Sequence, residues 1–220
     1  MAPPDSERPP VVAALDLWLL EAAMELPTPL HMLVEPNPHI ALNMADDPRL
    51  SREELCERLS LLAERGLIRV HMLPDGLQEL FSPEEISNAM DARQSRTPFG
   101  YSLTEAGGAV WEHHARPDWS RFVNAGQEPS ADDAQDAWVI EAASLEAADA
   151  EFHFHESLGD VHQPVSESKR GEVLTPWQVT YWKALPHGYR LRYVTAPRPP
   201  DPARSRGVPS RPPWYTRVWL

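Results

Sequence analysis

A single cysteine, Cys56, stands in a chain of 220 residues, so no internal disulfide can form and an oxidising compartment would add nothing to stability. No uncharged apolar run approaches the roughly 20 residues needed to cross a bilayer, which argues against a membrane span. The opening, MAPPDSERPPVV, lacks the basic start and apolar core of a secretory signal, so the cytoplasm is the simplest expectation. Glycines are few, and none forms a phosphate-binding loop, a dinucleotide fingerprint or a nucleophile elbow. Catalytic machinery is therefore not visible, and no cofactor is expected. Basic residues are also scarce: 20 Lys and Arg against 33 Asp and Glu leave a net charge of -13, which at long range repels the phosphate backbone on which non-specific nucleic-acid affinity depends.

The average hides a gradient. From Lys169 onward the charged residues are ten positive and two negative, so an acidic body carries a basic C-terminal part. Such asymmetry fits a nucleic-acid arm or a basic tail that folds back onto its own acidic body. Proline sets the punctuation. Residues 1–10 are rich in proline and charge and are expected to be disordered. Residues 196–220 read as a Pro/Arg-rich tail: an extended linker ending in an apolar anchor, WYTRVWL.

Between these ends the patterning is regular. Val12, Leu15, Trp18, Leu19, Ala22 and Ala23 recur at helical spacing and predict a helix before Pro27, and a short helix is expected near His39 to Ala45. Ser51 with Glu54 three residues on is a capping box; Leu55, Leu59, Leu62 and Ala63 then share one face, and Gly66 suits the left-handed end of that helix. LIRVHML alternates like a strand. A second capping box, Ser82 with Glu85, predicts an inserted helix over residues 83–93, after which YSL returns as the paired strand and Thr104 caps EAGGAVWEHHA.

This order, with the phrases LAERGLIRV and YSLTEAGGAVWE, resembles the winged helix-turn-helix superfamily, as in bacterial MarR-like and PadR-like regulators, over roughly Val11 to Trp119. The resemblance implies an α+β fold with a winged-helix domain over residues 11–126. It departs from the plan where a helix interrupts the wing. An acidic linker over residues 127–136 is expected next, then a small α/β domain over residues 137–195. There AWVIEA reads as either a strand or the start of a helix, and WQVTYWKALPHGYRLRYVT predicts a β-hairpin about the turn LPHG, with Arg190 and Arg192 on one face and Tyr189, Leu191 and Tyr193 on the other.

Three sets of residues carry functional expectations. In the superfamily, DNA is gripped by the outward face of the capped helix and by the wing. Here the outward positions are Arg52, Glu53, Glu57, Arg58, Ser60, Leu61, Glu64 and Arg65, three positive against three negative. Arg52, Arg58, Arg65 and Arg69 would be the DNA contacts of a transcriptional regulator, but each carboxylate brought against phosphate without a partner costs several kcal/mol. In the C-terminal half Trp177, Trp182, Arg190, Arg192, Trp214 and Trp219 have the composition of a partner-binding or self-association surface, and equally of a base-stacking one. In EFHFHE, a strand would align Glu151, His153 and His155 as a weak candidate metal set, whereas a helix would keep Glu151 with His155 and turn His153 away. The leading expectation is a non-enzymatic regulator or adaptor acting through protein contacts; the alternative is a DNA-binding transcriptional regulator.

Overall fold

The computed structural model describes residues 13–36, 38, 42, 50–74, 76–91, 98–128, 137–158, 162–197 and 214–216. The N-terminal ten residues, the short helix expected near His39 apart from Leu42, residues 129–136, most of the Pro/Arg-rich tail and Trp219 lie outside that description. Helices and strands are interspersed, so the fold is mixed α and β. Among the described residues no helix is long and apolar enough to cross a membrane. Two compact units result: the described residues up to Arg116 with Thr180–Lys183 and Thr216, and Pro117–Val179 with Ala184–Pro197, Trp214 and Tyr215.

Unit 1 opens with α1 (Ala14–Ala22), whose buried residues run almost all round it, Asp16 and Glu21 among them. That is wider than the stripe predicted from spacing, because α1 packs on helices to both sides. Leu19 and Leu20 are fully buried, each adding about 1.5–3 kcal/mol over an exposed position. A two-residue strand β1 (Thr28–Pro29) and a 3-10 turn (Leu30–Val34) follow. The capped helix is α2 (Arg52–Glu64), with both halves of the Ser51/Glu54 box formed. Gly66, at φ +68, ends it: the Gly66 and Leu67 amides donate back to the Ala63 and Leu62 carbonyls at 2.9 Å each. Strand β2 (Ile68–Met72) pairs antiparallel with β3 (Phe99–Leu103), and between them lies the inserted helix α3 (Pro83–Met90), again with a complete capping box at Ser82 and Glu85. The sheet order is β1-β3-β2. Thr104 caps α4 (Glu105–Ala115) by accepting from the Gly107 amide at 3.0 Å.

Thr180–Lys183 belongs to this unit although it comes late in the chain. The Tyr181 hydroxyl donates to the Ala23 carbonyl at 2.6 Å and accepts from the Leu103 amide at 2.5 Å; Trp182 Nε1 donates to the Met24 carbonyl at 2.7 Å. Trp182 stands edge-on to Trp111 with centroids 6.3 Å apart, and Gly108 gives its ring room: a Cβ there would fall 2.1 Å from Trp182 Cε3.

Unit 2 is an antiparallel sheet with one helix on one face. Strands β4 (Val123–Glu128) and β5 (Ala137–Ala142) pair with each other, and α5 (Leu145–Ser157) follows, capped by Ser144. Then come β6 (His162–Pro164), β7 (Arg170–Leu174), the short pair β8 (Trp177–Gln178) and β9 (Ala184–Leu185), and β10 (Gly188–Pro197). The order is β4-β5-β10, with β7 and β6 along the far side of β10. Ile140, Ala142, Leu191 and Tyr193 meet Ala148 and Phe152 of α5 in the core. A second cluster joins Phe122, Trp177 and Val179 to Trp119, Leu185 and Trp214.

Two organisational expectations are corrected. The WQVTY and YRLRYVT runs do not form one hairpin: β10 takes β5 and β7 as neighbours, and the first run pairs only through two residues with β9. Trp177 is buried to 1% exposure in the second cluster, and that burial, not proximity in sequence, directs the chain. The boundary between units falls at Arg116, ten residues before the expected one, because Val123–Glu128 is paired along its whole length with β5. The strands before and after residues 129–136, β4 and β5, thus belong to the same unit.

Candidate functional site

The outward face of α2 is decided by where its arginines go. Asp16 lies buried in α1 at 3% exposure, and a buried carboxylate demands cations. Arg58 supplies one at 2.9 Å and Arg65 stands at 3.9 Å from its other oxygen. Arg52 turns to α3: Nη1 bonds Asp91 Oδ1 at 2.8 Å, Nε bonds Ser87 Oγ at 3.1 Å, and Nη2 bonds the Ser87 carbonyl. That hydrogen bond to Arg52 holds the Asp91 carboxyl below its ordinary range. Ser60, expected outward, is buried and donates to the Phe81 carbonyl at 2.6 Å.

What remains on the exposed face is Glu53, Glu57, Leu61 and Glu64. Glu54 is exposed too, its carboxyl lowered by hydrogen bonds from the Ser51 amide and hydroxyl. Three large apolar side chains of this unit are exposed, Leu61 of α2 at 46%, Phe81 at 60% and Leu77 at 81%, and the bond from Ser60 to the Phe81 carbonyl ties the backbone before α3 to α2. Arg69 is exposed on β2 and, alone of the four arginines predicted to contact DNA, has no ion pair among the described residues. The predicted set is therefore not brought together as a stripe. Bringing Arg58 to a phosphate would leave the buried Asp16 carboxylate with only the more distant Arg65, toward the about 3–5 kcal/mol that breaking a buried pair costs.

Of the residues predicted to form a partner surface, the five that are described, all but Trp219, make their contacts within the chain. Trp177 is buried and donates through Nε1 to Glu141 Oε2 at 3.0 Å; Trp182 is fixed to Met24 and Trp111; Trp214 packs on Trp119 and Phe122 with centroids 5.0 and 4.8 Å apart. Arg190 and Arg192 do share one face of β10, the face away from α5, as alternation requires. Each is already paired, Arg190 with Glu141 at 2.6 Å and Glu172 at 2.9 Å, and Arg192 with Glu128. That open face holds a shallow depression of roughly 300 Å³ lined by Asn124, Gly126, Glu128, Val139, Glu141 and Arg190.

EFHFHE is helical, so Glu151 and His155 meet at 3.1 Å while His153 turns to Glu156 at 2.8 Å. His155 Nδ1 is hydrogen-bonded to the Tyr193 hydroxyl. Among the described residues no group of three or more His, Cys, Asp or Glu is placed to hold a metal ion.

Asp16, Leu77 and Phe81 were not singled out from sequence. Asp16 had a legible signal: an acid inside ALDLWLLEA, surrounded by apolar residues, must find a cation somewhere. Leu77 and Phe81 had none. No protein-family model, curated protein or solved structure matches the chain.

Proposed function

We propose that the chain is a non-enzymatic adaptor or regulator that works through protein contacts on a winged-helix-like scaffold. The scaffold reading is supported by the order of α1, capped α2, β2, β3 and capped α4, and by the strand order β1-β3-β2. The observation that carries the functional reading is the sign of the α2 face: Glu53, Glu57 and Glu64 flank Leu61 outward, while Arg52, Arg58 and Arg65 are bonded to Asp91 and Asp16. A surface that is acidic and carries exposed Leu61, in a unit that also exposes Phe81, suits a protein segment carrying Lys or Arg and apolar side chains, and it repels phosphate.

The test is a pair of anisotropy titrations at low salt. An arginine- and leucine-bearing probe peptide binds the wild type and loses affinity when Glu53→Lys and Glu57→Lys are combined. Labelled duplex DNA gives a flat trace. Salt-dependent DNA binding that weakens with Arg58→Glu would instead establish the DNA-binding regulator that uses Arg52, Arg58, Arg65 and Arg69.

A further inference from the structure

We propose that unit 2 self-associates through its first strand: β4 of one copy pairs antiparallel with β4 of a second copy, centred on Gly126, to make one continuous sheet. This inference stands apart from the reading of the α2 face. It begins with an edge. Among the described residues β4 has β5 as its one strand neighbour, and the pairing runs over six successive residues without a bulge. Its other side presents backbone donors and acceptors to whatever strand can take them.

Sheet edges ordinarily carry a device that blocks such pairing: proline, charge along the edge, or brevity. The far side of the same sheet has them. There β6 is three residues long and ends in Pro164, and β7 carries Arg170 and Glu172. Strand β4, VNAGQE, has neither proline nor a basic residue, and its single charge, Glu128, sits at one end.

The sequence of β4 also fits itself. A two-fold axis normal to the sheet places residues of the same face opposite one another. Centred on Gly126, it sets Ala125 against Gln127 of the second copy and Asn124 against its Glu128. Asn124, Gly126 and Glu128 all lie on the face away from α5, since their neighbours across β5 are Glu141, Val139 and Ala137 while Ala125 faces Ile140 of the core. On that face the Asn124 amide donates to the opposing Glu128 carboxylate, which its own Arg192 already bonds, so a row of donor, acid and cation repeats on both sides of the axis. Nothing lies within 4 Å of where a Gly126 Cβ would stand, so the face of β4 is open at the axis. Centring on Ala125 loses the Asn124 and Glu128 match and sets Val123 against Gln127. With a net charge of -13 on each copy, long-range repulsion opposes the contact, so salt should strengthen it.

Sedimentation and light scattering of the full chain test this. The mass should rise with concentration from 24.8 kDa toward twice that value, at lower concentration in high salt. Gly126→Lys sets two ammonium groups against each other in open space; it should hold the mass at the monomer value with an unchanged circular dichroism spectrum. Opposed Cα atoms in an antiparallel pair are about 4.5–5.5 Å apart, within disulfide reach, so Gly126→Cys should give a covalent dimer on mild oxidation where the wild type and Asn124→Cys do not. A monomer at every concentration overturns the proposal, including one that instead captures an extended peptide. So does a dimer indifferent to Gly126→Lys, or equal cross-linking through Asn124→Cys.

Discussion

Replacing Gly107 by alanine probes the contact that holds α4 against the end of α2. A Cβ at Gly107 would lie 1.8 Å from the Leu67 carbonyl oxygen and 2.8 Å from its carbon. The obstacle is backbone, so no rotamer change relieves it. Moving the Leu67 carbonyl disturbs the hydrogen bond it accepts from the Thr104 amide at 3.1 Å and the longer arm, at 3.2 Å, of the bond that the Thr104 hydroxyl donates mainly to the Gly66 carbonyl at 2.6 Å. Overpacking of this kind costs about 1–3 kcal/mol, and weakening the two bonds adds about 1–2 kcal/mol. Against this, alanine gains about 1 kcal/mol of helix propensity over glycine. The balance is a net loss of about 1–4 kcal/mol, set against the about 5–15 kcal/mol that a folded protein has in reserve. Urea unfolding followed by fluorescence and circular dichroism measures it, with amide exchange in β2 and α4 as the local readout. Gly126→Ala, in open space, serves as the control and should shift the midpoint little. A Gly107→Ala variant as stable as the wild type, or more so, would refute the close approach.

Arg58→Ala should destabilise unit 1 by about 3 kcal/mol, since Asp16 keeps only the more distant Arg65; replacing Asp16 and Arg58 together by leucine should recover most of the loss in the same urea titration. The capping carboxylates of Glu54 and Glu85 are held below their ordinary value of 4.5 by Ser51 and by Ser82 with Phe81, so the stability they add is present above that value and is lost as pH falls through their folded-state pKa. The double variant Glu54→Gln, Glu85→Gln should therefore be less stable at neutral pH and show a shallower decline below about pH 4.5 in thermal melts. Trp177→Phe removes the donor to Glu141 and part of a fully buried ring, and should cost about 2–4 kcal/mol, read as a lowered melting temperature of unit 2.

Features fixed within a few residues were legible in the sequence. The Ser51/Glu54 and Ser82/Glu85 boxes, the Thr104 cap and the Gly66 terminus each depend on side chains that reach their own helix end, and each stands where the spacing put it. The pairing of YSL with the strand after Gly66 followed from turn signals and alternation. Long-range choices were not legible. Arg58 follows Glu54 by one helical turn, a spacing that allows an exposed ion pair, yet it goes to Asp16, 42 residues earlier, because a buried carboxylate outweighs an exposed pair. β10 had a neighbour in view within the same aromatic stretch, yet it joins β5 across nearly fifty residues, because Ile140, Leu191 and Phe152 bury more together than a solvated hairpin would. The tryptophans suggested a sticky exterior for a related reason: composition counts aromatic residues without saying which side of the surface they lie on.

The late segment Thr180–Lys183 has a consequence for how the molecule is made. On the ribosome, α1 and the three-stranded sheet of unit 1 emerge long before Tyr181, so the Ala23 and Met24 carbonyls and the Leu103 amide wait, solvated, for donors and an acceptor synthesised some eighty to one hundred and sixty residues later. A chain cut after Arg116 would never receive them. The first half of this protein is therefore finished by its second, and dissecting it at the obvious boundary should yield a loosened fragment with Trp111 newly wetted where Trp182 belongs.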